Sequence, residues 1–404
     1  MPSTFAWLDH DESARRRMRE IVGLFQESGT LDELGMGRIR DAFSDRFFPG
    51  TSVLWRRARY LLFVPWTYQQ IERDGFARHP DAERAARSTF RHLRDALRTS
   101  GDTAGVIGLR RADPTTPPDA ILWPALRQWG IRDDGGATLS NYRAALLRKP
   151  RPNQEGDDTT SVWHPRLPPD APGFPSSVTF SLRPAEARFI ADLALAEDAR
   201  AGTRAARRKE SMLAVLLRVD ELLECDAPWE HPVDPRASSD LNDALHLAGC
   251  FADTIQGARL LYALRLAQLR RDDVTADETQ ERLERWAGSL GGARAAQLER
   301  WAADFPAFWS CVMRQNPRIG RGERLFVEEW ARVALADPAA VVRDSAAIRM
   351  VEEREALAKG AKRARLTAAP GDDRGGGGAI PERFTYRWAN ALQIARDIRA
   401  GLES

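Results

Sequence analysis

The chain is 404 residues long, with 43% apolar residues and twelve tryptophans, so it has material for a core and wholesale disorder is excluded despite 29% charged side chains. Sixty basic residues face 58 acidic ones for a net charge of +2, which excludes the broad basic excess of a dedicated nucleic-acid domain. Three widely spaced cysteines, Cys225, Cys250 and Cys311, exclude a disulfide framework and point to a reducing cytoplasm.

In chain order, the N-terminus places acids and arginines directly after a short apolar patch, the wrong order for a secretory signal. Apolar positions at helical spacing predict a helix over 12–25. Thr30 and Glu33 have the form of a capping box, Gly35 and Gly37 break the chain, and a helix is expected over 38–47. Ser52 is expected to cap a longer helix carrying Val53, Leu54 and Tyr60 to Phe63, kinked or broken at Pro65. The longest apolar run, Tyr60 to Trp66, falls far short of the roughly 18 residues of a membrane span, so no membrane partner is expected.

An amphipathic helix over 81–97 follows, then a short strand or extended run at 105–109 and helices over 119–129 and 139–149. Seven prolines between Pro150 and Pro175 predict an exposed linker or surface loop over 150–177, and 178–182 alternates like one more short strand. Pro184 opens a helix to about 196, and another is expected over 209–223. The pattern from Ser239 to about 269, about 45 Å long at a rise of about 1.5 Å per residue, is apolar on most sides and belongs in the middle of its domain. Thr275 with Glu278 forms a second capping box, introducing a helix expected to run past Gly291 and Gly292 to about 303. Helices over 307–315, 321–336, 340–359 and 381–402 complete the chain, with a disordered glycine-rich loop at 366–379.

The expected fold is therefore mostly α and multi-helical, with at most one or two short strands near 105–109 and 178–182. Because single cores stop growing at roughly 250–300 residues, a helical domain at 1–149, a linker at 150–177 and a helical domain at 178–404 are expected.

Chemical motifs are sparse. The run Gly375 to Gly378 is followed by no GK[ST], and neither Gly35-Met36-Gly37 nor 105–108 continues into GxGxxG, so no cofactor is expected. GxSxG does not occur, and the cysteines lie beside acids or in apolar helix, where a thiol stays protonated. Cys225, His231, His246 and Cys250 resemble a metal set, with the last pair on one helix face, but Pro232 and Pro235 intervene and the spacing fits no zinc module. Asp9, His10 and Asp11 read as a helix cap, and Asp157 with Asp158 as a solvated loop. A metal nuclease needs acids and a lysine on a sheet, and only Lys149 and Lys209 lie near acids.

Lysine occurs only at Lys149, Lys209, Lys359 and Lys362, so 56 of the basic residues are arginine. Most fall opposite apolar stripes and read as solvated helix faces. Clusters stand out at Arg56, Arg57 and Arg59, at Arg110 and Arg111, at Arg204, Arg207 and Arg208, and at Arg314, Arg318, Arg321 and Arg324. Guanidinium forks suit phosphate oxygens. The pattern over 31–60 permits a helix-turn-helix with Arg56, Arg57 and Arg59 on its last element.

Several segments together resemble a bacterial family of unknown function: Phe5-Ala-Trp-Leu-Asp9, Phe48-Pro-Gly-Thr-Ser52, Arg57-Ala-Arg-Tyr60, the run Leu122 to Ile131, Arg314-Gln-Asn-Pro-Arg-Ile319 and Phe384 to Trp388. The resemblance spans nearly the whole chain and transfers no catalytic residue. It implies an accessory component of bacterial mobile or antiviral-defence gene clusters, with helicase-like or phospholipase-D-like proteins as partners. The resulting expectation is a non-catalytic component of a nucleic-acid-associated complex, touching DNA or RNA phosphates through Arg56, Arg57, Arg59, Arg314, Arg318 and Arg321 and weakened when Arg57 and Arg59 become Ala. A protein-interaction scaffold and an undetected nuclease or nucleotide-processing enzyme are the alternatives.

Overall fold

Residues 32–74, 79–109, 116–146, 161–195, 210–232, 237–367 and 380–404 are described by a computed structural model, and helices supply the regular structure among them. Fourteen helices form within these residues and no strand does, leaving only isolated bridges at Ser52–Trp55 and Arg132–Trp163. The mostly α expectation holds. The allowance of at most one or two short strands is not used at 105–109 or 178–182: Gly105 and Gly108 turn the chain at φ +90 and +74, and Phe180 gives its N–H to the Asp102 carboxylate at 3.0 Å instead of to a neighbouring strand.

Contacts divide the described residues into two units. One comprises those within Phe48–Leu222 and Ala389–Ser404, the other those up to Phe47 and within Leu223–Trp388. This division differs from the expected cut at 150–177. Proline-rich composition reads as a linker, yet Trp163 and Phe174 are buried, and the Trp66 indole donates to Pro168 O at 2.8 Å.

In the second unit, α1 (Gly37–Phe47) begins where the Asp32 carboxylate accepts from the N–H groups of Met36 and Gly37 at 2.5 and 2.8 Å. Asp32 thus caps the helix near Glu33, and Thr30 lies outside the described residues. The axis of this unit is α8 (Ser239–Arg270), capped by Ser238 and buried along most of its length. Against it pack α1, α9 (Asp273–Ser289), α10 (Ala293–Ala303), α12 (Arg321–Ala336) and α13 (Ser345–Lys359). Three aromatic side chains donate to carbonyls of α8: Tyr386 to Ala248 at 2.8 Å, Trp286 to Asp253 at 2.7 Å and Trp330 to Thr254 at 2.9 Å. Burying a Tyr or Trp requires such a partner for its polar end.

The expected helix through Gly291 and Gly292 is two helices, because Gly292 takes φ +60 and starts α10 afresh. Asp272 rather than Thr275 caps α9, accepting from Thr275 N at 3.1 Å. α11 (Phe305–Gln315) follows, and α13 starts at Ser345 under Asp344. Phe43, Phe251, Phe308, Phe384 and Tyr386 form a continuous aromatic core.

In the first unit, α2 (Tyr60–Asp74) continues through Pro65 and is buried over most of its surface. Its start differs from expectation. Ser52 closes a local turn, accepting from Leu54 N at 3.1 Å, and residues 53–59 are not helical. α3 (His79–Thr99), α4 (Pro118–Gln128) and α5 (Leu139–Leu146) pack with α2 in one connected set. α6 (Pro184–Leu195), the short α7 (Met212–Leu216) and the described body of α14 (Trp388–Glu403) belong to the same unit from Ala389 on. The helix expected over 209–223 stops early, where Arg399 takes the carbonyls of Val219 and Asp220, each at 2.6 Å. α14 likewise starts later than the expected 381, since Tyr386 and Arg387 take φ +53 and +67.

The sequence features at 12–25, Asp9 to Asp11, Arg110 and Arg111, Lys149, Asp157, Asp158, Arg204 to Lys209 and 368–379 lie outside the described residues.

Candidate nucleic-acid interface

The turn between α11 and α12 is built by its own side chains. Asn316 and Pro317 end α11, and the Asn316 carboxamide accepts from Arg318 N at 3.1 Å, closing an Asx turn. Gly320 precedes α12, and the Glu323 carboxylate reaches back to accept Gly320 N at 2.6 Å. Arg38, on the first turn of α1, crosses to this turn, donating to Arg318 O at 3.3 Å and lying 3.5 Å from Glu323.

Four arginines thereby lie on or beside this turn in the second unit. Arg314, Arg318 and Arg321, all expected from sequence, are exposed, and Arg38 joins them with 60% of its side chain exposed. Arg314 lies 3.5 Å from Asp240, a carboxylate that Arg46 holds more closely at 2.7 Å. Among the described residues Arg318 and Arg321 have no carboxylate partner.

Beneath this turn lies Arg354, which in the sequence is simply one more arginine in a helix. It is 7% exposed, and its guanidinium donates to Leu34 O at 2.6 Å and Gly35 O at 3.3 Å, with Phe326 under it at 5.6 Å. Burial lowers its pKa from the ordinary arginine value, opposed by the nearby Glu323 and Asp32 carboxylates. No spacing in the sequence links Arg38, Arg318 and Arg354, because α1, the α11–α12 turn and α13 bring them together.

Arg56, Arg57 and Arg59 fare differently. They precede α2 rather than lying on it, which removes the helix-turn-helix reading. Arg57 is clamped between Asp397 at 3.0 Å and Asp102 at 2.9 Å, with its face 4.3 Å from the Phe180 ring. Arg59 is 4% exposed, pairs with the fully buried Glu186 at 3.0 Å and donates to Thr179 O at 2.9 Å. Neither presents a guanidinium to a ligand. Only Arg56 of this cluster is exposed, and it has no carboxylate partner among the described residues.

A family model matches residues 2–399 of the chain. The chain belongs to DUF6361, a family of unknown function. No curated protein and no solved structure matches it.

Elsewhere among the described residues of the DUF6361 chain, the polar groups around His231 and Lys359 are engaged by their own neighbours. His231 makes a 2.9 Å hydrogen bond to Pro232 O through Nδ1 and accepts from Leu223 N at 3.4 Å through Nε2, so neither nitrogen is left for a metal. His246 and Cys250 meet at 3.8 Å on α8, and burial pushes the Cys250 thiol up to about 11. Among the described residues no three metal-ligating side chains converge. Lys359 contacts Glu33, Glu355 and Tyr262, and Glu355 also accepts from Leu366 N at 2.9 Å while Glu33 accepts from Arg365 at 3.1 Å. Burial and the Arg365 and Arg363 guanidiniums depress the basicity of Lys359, opposed by the Asp32 carboxylate. Every carboxylate oxygen in this network receives a donor, so it works as a clasp. Among the described residues no helix is long and apolar enough to cross a membrane.

Proposed function

We propose that this DUF6361 chain binds nucleic-acid phosphates through the α11–α12 turn, as a non-catalytic component of a larger cytoplasmic assembly. The observation that supports the reading is the grouping of exposed Arg318 and Arg321, without acid partners among the described residues, beside Arg38 and Arg314. A guanidinium on a surface turn can take two phosphate oxygens in its fork, and turns are where binding residues concentrate. Arg56 is a further exposed guanidinium in the other unit, whereas Arg57 and Arg59 act as internal struts. In the gene-cluster setting implied by the sequence resemblance, helicase-like or phospholipase-D-like proteins would be the partners and antiviral defence the context.

The test is fluorescence anisotropy of labelled DNA and RNA across a salt series. Binding should weaken linearly on logarithmic axes as salt rises, and replacing Arg318 and Arg321 by Ala should reduce the slope by about one for each phosphate that is no longer neutralised. Unchanged affinity and slope in the double variant would refute the assignment.

A further inference from the structure

The first turn of α12 has an unusual surround. Gly320 stands at the N-cap without a side chain, so no N-cap side chain takes the N–H groups of Arg321 and Gly322. Such groups, with the helix dipole behind them, favour an anion. By itself this would describe many helices. Here the side-chain space of Gly322 is also empty, and the atom nearest to where its Cβ would stand is Arg354 Nη1, at 3.8 Å.

Arg354 is the second, independent observation. Its Nε and Nη2 are held by the Leu34 and Gly35 carbonyls, which fixes the plane of the guanidinium, while Nη1 takes no hydrogen bond among the described residues and faces the glycine turn. The Glu323 and Asp32 carboxylates act on this 7% exposed cation without forming a direct ion pair with it among the described residues. Both carboxylates are already engaged, Glu323 by Gly320 N at 2.6 Å and by Arg38 at 3.5 Å, and Asp32 by the N–H groups of Met36 and Gly37.

We propose that Arg354, Arg38, Arg318 and the first turn of α12 at Gly320 and Gly322 form a seat for the terminal phosphate monoester of a nucleic-acid strand. The proposal rests on the reading that this turn meets nucleic acid, and it specifies which phosphate is taken. An internal phosphodiester carries sugar on both sides and reaches only the exposed rim, Arg318 and Arg321. A terminal phosphate has one ester link and three free oxygens, and can project down to a donor as recessed as Arg354. It also carries about −1.5 to −2 charges at neutral pH, opposite three guanidiniums that Glu323 and Asp32 offset only in part.

The experiment compares one oligonucleotide sequence carrying a phosphate on its 5′ end, its 3′ end or neither, titrated with the full chain and with Gly322→Asp. An aspartate at this position favours the helix N-terminus, so the variant should fold with an unchanged or higher Tm while its carboxylate occupies the seat. The expected result is about tenfold tighter binding of one phosphorylated strand, abolished in Gly322→Asp. Equal affinity for all three strands, with Arg318→Ala weakening each of them, would overturn the seat and leave the backbone-phosphate reading standing. A preference that persists in Gly322→Asp would overturn the location. Displacement of the strand by a nucleoside monophosphate at the same concentration would overturn the strand-end assignment in favour of the phosphate group alone. No binding by any strand would overturn the seat and the reading together.

Discussion

Arg59 reaches Glu186, 127 residues further along the chain, in a pair enclosed by protein on all sides. Removing one member of such a pair leaves a buried charge without its partner, so Arg59→Ala should lower unfolding free energy by about 3–5 kcal/mol in urea denaturation. Arg321→Ala, at an exposed arginine without an acid partner among the described residues, should leave stability within about 0.5 kcal/mol while changing nucleic-acid affinity. The same residue type in two clusters thus has opposite expected phenotypes. His246 gives a pH prediction. Burial, with Arg294 and Arg300 nearby, holds its folded pKa below the ordinary 6.5. In the window below 6.5 the unfolded chain binds more protons than the folded one, so stability falls as pH drops through it. Denaturation at neutral and mildly acidic pH should show this loss in the native chain and a smaller one in His246→Gln.

Helix α8 shows how an element is selected by its neighbours. Its apolar positions on most sides were legible in the sequence, and so was its central position. The reason for Gly257 was not. A Cβ there would lie 2.2 Å from the Trp286 ring, so glycine lets α9 approach and lets Trp286 donate to Asp253 O. Gly257→Ala should therefore destabilise the chain by about 1–3 kcal/mol, the usual range for overpacking, although alanine is the better helix former. A thermal melt in which this variant equals or exceeds the native protein would show that the interface has slack. Helix ends were less legible than helix bodies. Asp32 and Asp272 cap from positions near Thr30 and Thr275, which the pattern favoured, and the arrest of α7 depends on Arg399 from a distant helix. Local propensity cannot contain a donor that arrives from elsewhere in the chain.

At the scale of the whole molecule, chain order and spatial grouping part company. Arg57 ties residues near the start to Asp397, 340 positions away, within one unit, and Trp66 binds Pro168 O across the region that composition marks as a boundary. A protease site inserted at Gly156 and cut should consequently leave two fragments that co-elute in native size exclusion and separate only in denaturant. Separation without denaturant would support the sequential division instead.

The sequence by itself determined the helical class, the bodies of most helices and the buried axis at α8, because a 3.6-residue period is a local property that any amphipathic helix must display. It also marked the arginine clusters. Which arginine becomes a strut and which remains at the surface was decided only in the tertiary structure. A guanidinium is the same group in both roles, and its fate turns on whether folding places a carboxylate such as Glu186 or Asp397 beside it, or leaves it, like Arg318, facing water.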